Sequence, residues 1–151
     1  MRFFIVGYMA SGKTTLGKEV AREKGIPFLD LDVLVEERAG CCISDIFSNK
    51  GEEYFRELER IVLHDFCEQM EDFVMATGGG TPCFFDNMDY MNEVGHTLFL
   101  NTSFPVLLGR LKSQRSARPL LAGLPDEELE DFVKNHLESR LPFYSKAKEN
   151  I

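Results

Sequence analysis

The stretch that most restricts this chain is Gly7–Thr14. It reads GYMASGKT and satisfies G-x-x-x-x-G-K-[ST] at every fixed position. Such a loop has meaning only between a strand and a helix, and both flanks comply. Met1–Val6 (MRFFIV) is a short apolar run of the kind that lies in a sheet buried on both faces. Lys13 to about Lys24 reads as a helix with Leu16, Val20 and Ala21 on its inner stripe, stopped by Gly25 and Pro27. In that setting glycines let the backbone curl until successive N–H groups face phosphate oxygens, and the helix N-terminus adds a favourable dipole. Lys13 is then expected to reach the outer phosphates of a bound nucleotide. The Thr14 hydroxyl is expected to ligate Mg²⁺. ATP and Mg²⁺ are therefore the expected co-substrate and cofactor.

The rest of the chain alternates strands and helices. A second strand covers Phe28–Leu31, and short helices follow over Val33–Ala39 and Ile43–Asn49. A long helix from about Glu52 to Met70 carries Phe55, Leu58, Val62 and Phe66 at helical spacing. Phe73–Ala76 and Thr97–Leu100 read as further strands, with a helix over Phe84–Glu93 between them. A helix from Pro105 to about Lys112, a mobile loop over Gln114–Pro125 and a last helix from about Asp126 to Arg140 complete the pattern. This is an α/β, three-layer αβα arrangement around a parallel sheet, in which ligands bind at the carboxyl ends of strands. The unusual loops fall there.

Three more features bear chemistry. Asp30 and Asp32, read as i and i+2 on a strand, point the same way. One can hold a metal and the other can accept or orient the proton of an attacking hydroxyl. Gly78, Gly79 and Gly80 follow an apolar strand, permit close backbone approach and offer N–H donors. No aspartate ends the strand in FVMATGGG, so Asp30 is expected to take the metal role. Arg56, Arg118 and Arg140 carry guanidinium forks suited to carboxylates and phosphates.

In order, GYMASGKTTLG, FLDLD, FRELE, TGGG, RPLL and RLPFY resemble the motifs of the shikimate kinase family, over residues 3 to about 147. The resemblance implies a P-loop kinase fold. It also implies transfer of the ATP γ-phosphoryl group to the 3-hydroxyl of shikimate, a step of aromatic amino-acid biosynthesis. By that resemblance Ala10, Ser11, Gly12, Lys13, Thr14 and Thr15 wrap the ATP phosphates, with Thr14 and Asp30 at the metal. Asp32 matches the base that contacts the shikimate hydroxyls. Arg56 and Arg140 match the pair holding the substrate carboxylate, and Gly79 matches a backbone donor to a ring hydroxyl. Arg118 matches the lid arginine over ATP. Arg110 and Arg115 both remain candidates for the adenine side. One domain over 1–151 is implied, with a lid at about 114–124 and a substrate-binding region at about 32–60.

Two departures accompany the resemblance. Ala10 stands where the family usually has glycine, which is harmless if φ is negative there. Family members also continue for about another strand and helix, so the edge strand after Glu149, its helix and part of the adenine wall are expected to be lacking. The net charge of −8 disfavours nucleic-acid or membrane-surface partners. Cys41, Cys42, Cys67 and Cys83 have no C-x-x-C spacing and read as reduced thiols of a cytoplasmic protein. A monomer acting on small molecules is expected. Gluconate kinase and nucleoside monophosphate kinase are the rival enzymes, and a silent nucleotide-binding module the rival of another class. Arg56 and Arg140 disfavour gluconate kinase, the want of a base-recognition pocket in the sequence disfavours a nucleoside monophosphate kinase, and Lys13 and Asp32 kept together with both arginines disfavour the silent module.

Overall fold

In the computed structural model, residues 1–118 and 120–151 are described. Five parallel strands stand in the order β2-β3-β1-β4-β5: β1 Arg2–Val6, β2 Phe28–Asp30, β3 Phe73–Ala76, β4 His96–Phe99 and β5 Glu149–Asn150. The helices are α1 Lys13–Lys24, α2 Leu31–Ala39, α3 Ile43–Lys50, α4 Glu52–Gln69, α5 Asn87–Val94, α6 Phe104–Gln114 and α7 Asp126–Tyr144. Alternation along β1 sorts the two cores. Phe4 and Val6 face a large cluster with Phe73, Met75, Val62, Leu129 and Tyr144, while Ile5 joins Val74, Leu98 and Ala21 of α1 on the other face. Leu16 and Val20 are half-buried beside Ala21, as their stripe predicts. Each large apolar side chain so buried contributes about 1.5–3 kcal/mol.

The structure corrects several expectations. The edge strand is not absent: Glu149–Asn150 pairs in parallel with β4, Ile151 N–H donates to Phe99 O at 2.8 Å, and Asn101 N–H returns to Ile151 O at 3.2 Å. Strand β2 ends at Asp30, one residue early, because Asp30 turns its carboxylate to cap α2, accepting from the N–H of Asp32 and Val33. Asp32 therefore sits in a helix's first turn, not on a strand. The expected helix over Phe84–Glu93 starts later, as α5 from Asn87, and a 3-10 turn at Thr81–Cys83 precedes the expected range. Helix α7 runs four residues past Arg140 with Pro142 inside it, which puts the RLPFY stretch on a helix. The expected mobile loop holds a 3-10 turn at Arg115–Ala117. Pro119 of its RPLL stretch lies outside the described residues.

Candidate active site

The carboxyl ends of β1, β2 and β3 open into a cavity of about 450 Å³. It is lined by the loop from Met9 to Thr15, by Asp30, Asp32, Thr77, Gly78 and Gly79, and by Arg110, Gln114 and Arg118. Gly12 precedes α1 with φ 101°, a conformation few side chains tolerate, and no side chain caps the helix. The first bond of α1 is Leu16 N–H to Gly12 O, so the N–H groups of Lys13, Thr14 and Thr15 have no intrahelical acceptor. That is the electropositive end an anion needs. Lys13 folds its ammonium onto the loop, donating to Gly7 O at 2.8 Å and Tyr8 O at 2.9 Å. Burial brings its pKa down from 10.5 to about 8, against the opposing charge of Asp32.

Two residues of the loop differ from expectation. Ala10 has φ 65°, so the negative φ that would make alanine harmless does not occur. A left-handed alanine costs about 1–2 kcal/mol, and Arg110 pins it by donating from Nη1 to Ala10 O at 2.8 Å. Ser11 is buried, its N–H is spent on Tyr8 O, and its hydroxyl has no partner among the described residues. The two candidate basic residues also separate. Arg110 lines the cavity, whereas Arg115 is tied to Asp126 and to Leu124 O. Arg118 rests on Gln114 Oε1 at 2.8 and 3.3 Å, at the cavity's outer side.

The two aspartates lie together despite their different elements. Asp30 uses Oδ1 for the helix cap, which leaves Oδ2 3.5 Å from the Thr14 hydroxyl. Asp32 is turned towards the glycine loop: a Cβ on Gly78 would lie 3.0 Å from its Oδ1. Burial, and then the charge of Asp30, push the Asp32 carboxyl above the usual carboxylate range, which makes it a better proton acceptor.

Past Asp32 and Gly79 the cavity continues into a second one of about 160 Å³. Its walls include Phe47, Phe55, Arg56, Glu59, Gly80 and Arg140. Arg56 packs its guanidinium on the Phe84 ring, 4.1 Å from the centroid, and on Gly80, where any Cβ would meet Nη2 at 2.6 Å. The guanidinium pairs with Glu59 at 3.1 Å and reaches Glu52 at the rim at 3.5 Å. Arg140 stands over the Tyr8 ring at 6.0 Å beside Gly79, with no carboxylate partner among the described residues. Arg56 is thus shared with Glu59 and Glu52, whereas Arg140 is the guanidinium of this cavity left open to a carboxylate ligand among the described residues. Gly78 N–H is not the free donor expected, since it is held by Thr81, whereas Gly79 N–H has no partner among the described residues.

Below this floor the Tyr8 hydroxyl bonds His136 Nδ1 at 2.8 Å. Burial, followed by the charges of Arg140 and Arg56, brings the His136 pKa down to about 4, so its ring is neutral. Tyr144 closes the same region by donating to Gly79 O. The sequence reading gave no role to Glu59, Thr81, Tyr8 or His136, although Glu59 closes its FRELE motif. Glu59 had a visible signal. It lies four residues after Phe55 and three before Val62, on the apolar stripe of α4, where a carboxylate implies a buried partner.

Comparison with known proteins agrees on one family. The family model described as shikimate kinase matches residues 9–151. The shikimate kinase of Phocaeicola vulgatus is 54% identical over 147 residues, covering 97% of this chain and 83% of that relative. The solved shikimate kinase from Bacteroides thetaiotaomicron is similar with a TM-score of 0.93 at 48% identity, over 100% of this chain and 85% of that one. That from Acinetobacter baumannii, solved in complex with shikimate, gives 0.87 at 33% identity, over 99% and 82%.

Proposed function

Because this chain belongs to the shikimate kinase family, we propose that it transfers the γ-phosphoryl group of ATP to the 3-hydroxyl of shikimate, giving ADP and shikimate 3-phosphate. The observation that carries this reading is that the two cavities share Asp32, Gly78 and Gly79 as lining. One has the phosphate-binding loop, and the other presents the guanidiniums of Arg56 and Arg140 for the acceptor's carboxylate.

Each residue then has a role. The N–H groups leading α1, with Lys13, hold the phosphates, and the loop from Ala10 to Thr15 wraps them. Thr14 Oγ1 and Asp30 Oδ2 are two hard oxygens 3.5 Å apart. They fit Mg²⁺, which takes few protein ligands and fills its shell with phosphate and water. When bound, Mg²⁺ supplies charge neutralisation between the outer phosphates. Asp32 takes or orients the proton of the attacking hydroxyl, and Arg56 and Arg140 clamp the shikimate carboxylate. Gly79 N–H donates to a ring hydroxyl, with Gly78 and Gly80 shaping the close approach. Arg110 serves the adenine side. Arg118 closes over ATP as part of a lid at about 114–124, which keeps water from the phosphoryl group. The region at about 32–60 belongs to the acceptor, within a single domain over 1–151. The acceptor is thus drawn in by local guanidinium charge in a protein whose net charge is −8.

We place the enzyme in the cytoplasm, as a monomer acting on ATP and shikimate without nucleic-acid or membrane partners. No helix among the described residues is long and apolar enough to cross a membrane.

A coupled ADP-release assay tests the assignment. Turnover is expected with shikimate and not with gluconate or nucleoside monophosphates; preference for gluconate would overturn it. The Lys13 environment gives a pH prediction. Its pKa is about 8 without ligand, and bound phosphate stabilises the charged form and raises it. ATP binding therefore takes up a proton above pH 8. Affinity stays level below about pH 7 and weakens about tenfold by pH 9. Calorimetry in buffers of different ionisation enthalpy reads the proton directly, and an uptake that does not grow across this range would exclude the linkage.

A further inference from the structure

Thr81 follows the glycine loop directly, is 0% exposed, and lines neither cavity described above. Its hydroxyl nevertheless joins parts of both. It accepts the Gly78 N–H at 2.9 Å and donates to Glu59 Oε2 at 2.8 Å. The other oxygen of Glu59 takes Arg56 Nη1 at 3.1 Å. The order of protons is set by the donors available. An amide N–H can only donate, so Thr81 oxygen accepts there and its single proton goes to Glu59. A carboxylate that receives Thr81 on one oxygen and Arg56 on the other is fully engaged as an ion. Burial raises the Glu59 pKa, and the Arg56 charge and the Thr81 bond work against that rise. Asn87 Nδ2 secures the Thr81 carbonyl at 3.0 Å, so the bridge rests on a fixed backbone.

On the reading of the acceptor cavity given above, we propose that Thr81 is a positioning residue for the acceptor: through Glu59 it couples the orientation of the Arg56 guanidinium to that of the glycine loop. The hydroxyl stops Glu59 from rotating away from Arg56. By occupying Gly78 N–H it holds the loop against Asp32 and leaves Gly79 N–H as the loop's available donor. Both sides of the acceptor are thereby fixed before it binds, which lowers the ordering cost of binding.

Thr81→Val tests this, because valine keeps the shape and removes both bonds. The shikimate KM is expected to rise about ten- to a hundredfold, the loss of a bond to a charged group. The ATP KM should stay within about twofold, and Thr81→Ser should restore the parental shikimate KM. A purely structural role would lower Tm and the active fraction without splitting the two KM values. If Thr81→Val does not fold, Thr81→Ala against Thr81→Ser makes the same comparison. A folded, active variant without the hydroxyl and with the parental shikimate KM overturns the proposal and leaves the kinase assignment standing. A parental chain that does not turn over shikimate overturns the assignment and this proposal with it.

Discussion

Asp32→Asn lowers kcat by about a hundred- to ten-thousandfold and leaves the ATP KM within about twofold. Asparagine keeps the size of the side chain, so its place beside Gly78, where an added Cβ would lie 3.0 Å from Asp32 Oδ1, is kept. What is lost is a charged acceptor for the hydroxyl proton. Burial and the neighbouring Asp30 raise the Asp32 pKa, which brings it nearer the range where a general base works best. The measurement belongs at pH 7. Asp32 supports the charge on Lys13, whose pKa is already about 8, so its removal lowers that pKa and Lys13 begins to discharge at lower pH than in the parent. Single-turnover quench flow at saturating ATP and shikimate separates chemistry from product release. A chemical step within threefold of the parent would remove Asp32 from the proton's path.

Arg56→Ala raises the shikimate KM by roughly thirtyfold or more, equivalent to about 2–5 kcal/mol for a charge-paired contact broken on one side. A second effect accompanies it. Glu59 is fully buried, and without Arg56 its carboxylate keeps only the Thr81 hydroxyl. An uncompensated buried charge costs about 3–5 kcal/mol, so the variant also loses Tm. The double variant Arg56→Ala/Glu59→Gln separates the two. A neutral amide at 59 removes the buried charge, so stability recovers while shikimate affinity does not. If the double variant regained shikimate affinity, Arg56 would be serving Glu59 and not the acceptor.

Where local chemistry acts alone, the sequence was legible. Helix α1 runs over the expected Lys13–Lys24 because glycines stand at both ends, and β3 falls on the expected Phe73–Ala76 because its four residues are all buried. The phosphate loop needed only its pattern and flanks. The D-x-D pair was less tractable. Its alternation suits a strand, but an aspartate that caps a helix gives the same letters, and the choice depends on where β2 stops pairing with β3. Ala10 shows the same limit: its left-handed φ is imposed by the turn around the loop and held by Arg110, 100 residues away. The last helix is expected to end at about Arg140, yet it continues through Pro142 to Tyr144, whose hydroxyl is fixed on Gly79 O. Glu59 and Thr81 matter through a contact 22 residues apart in the chain, which no local pattern announces, although the position of Glu59 on an apolar stripe hinted at it.

The acceptor site is the centre of this account, and a crystal structure with shikimate and ADP tests it most directly. The shikimate carboxylate should lie within hydrogen-bond distance of both Arg56 and Arg140, with a ring hydroxyl on Asp32. Shikimate bound with its carboxylate away from both arginines, and Arg56 still paired to Glu59 alone, would contradict it.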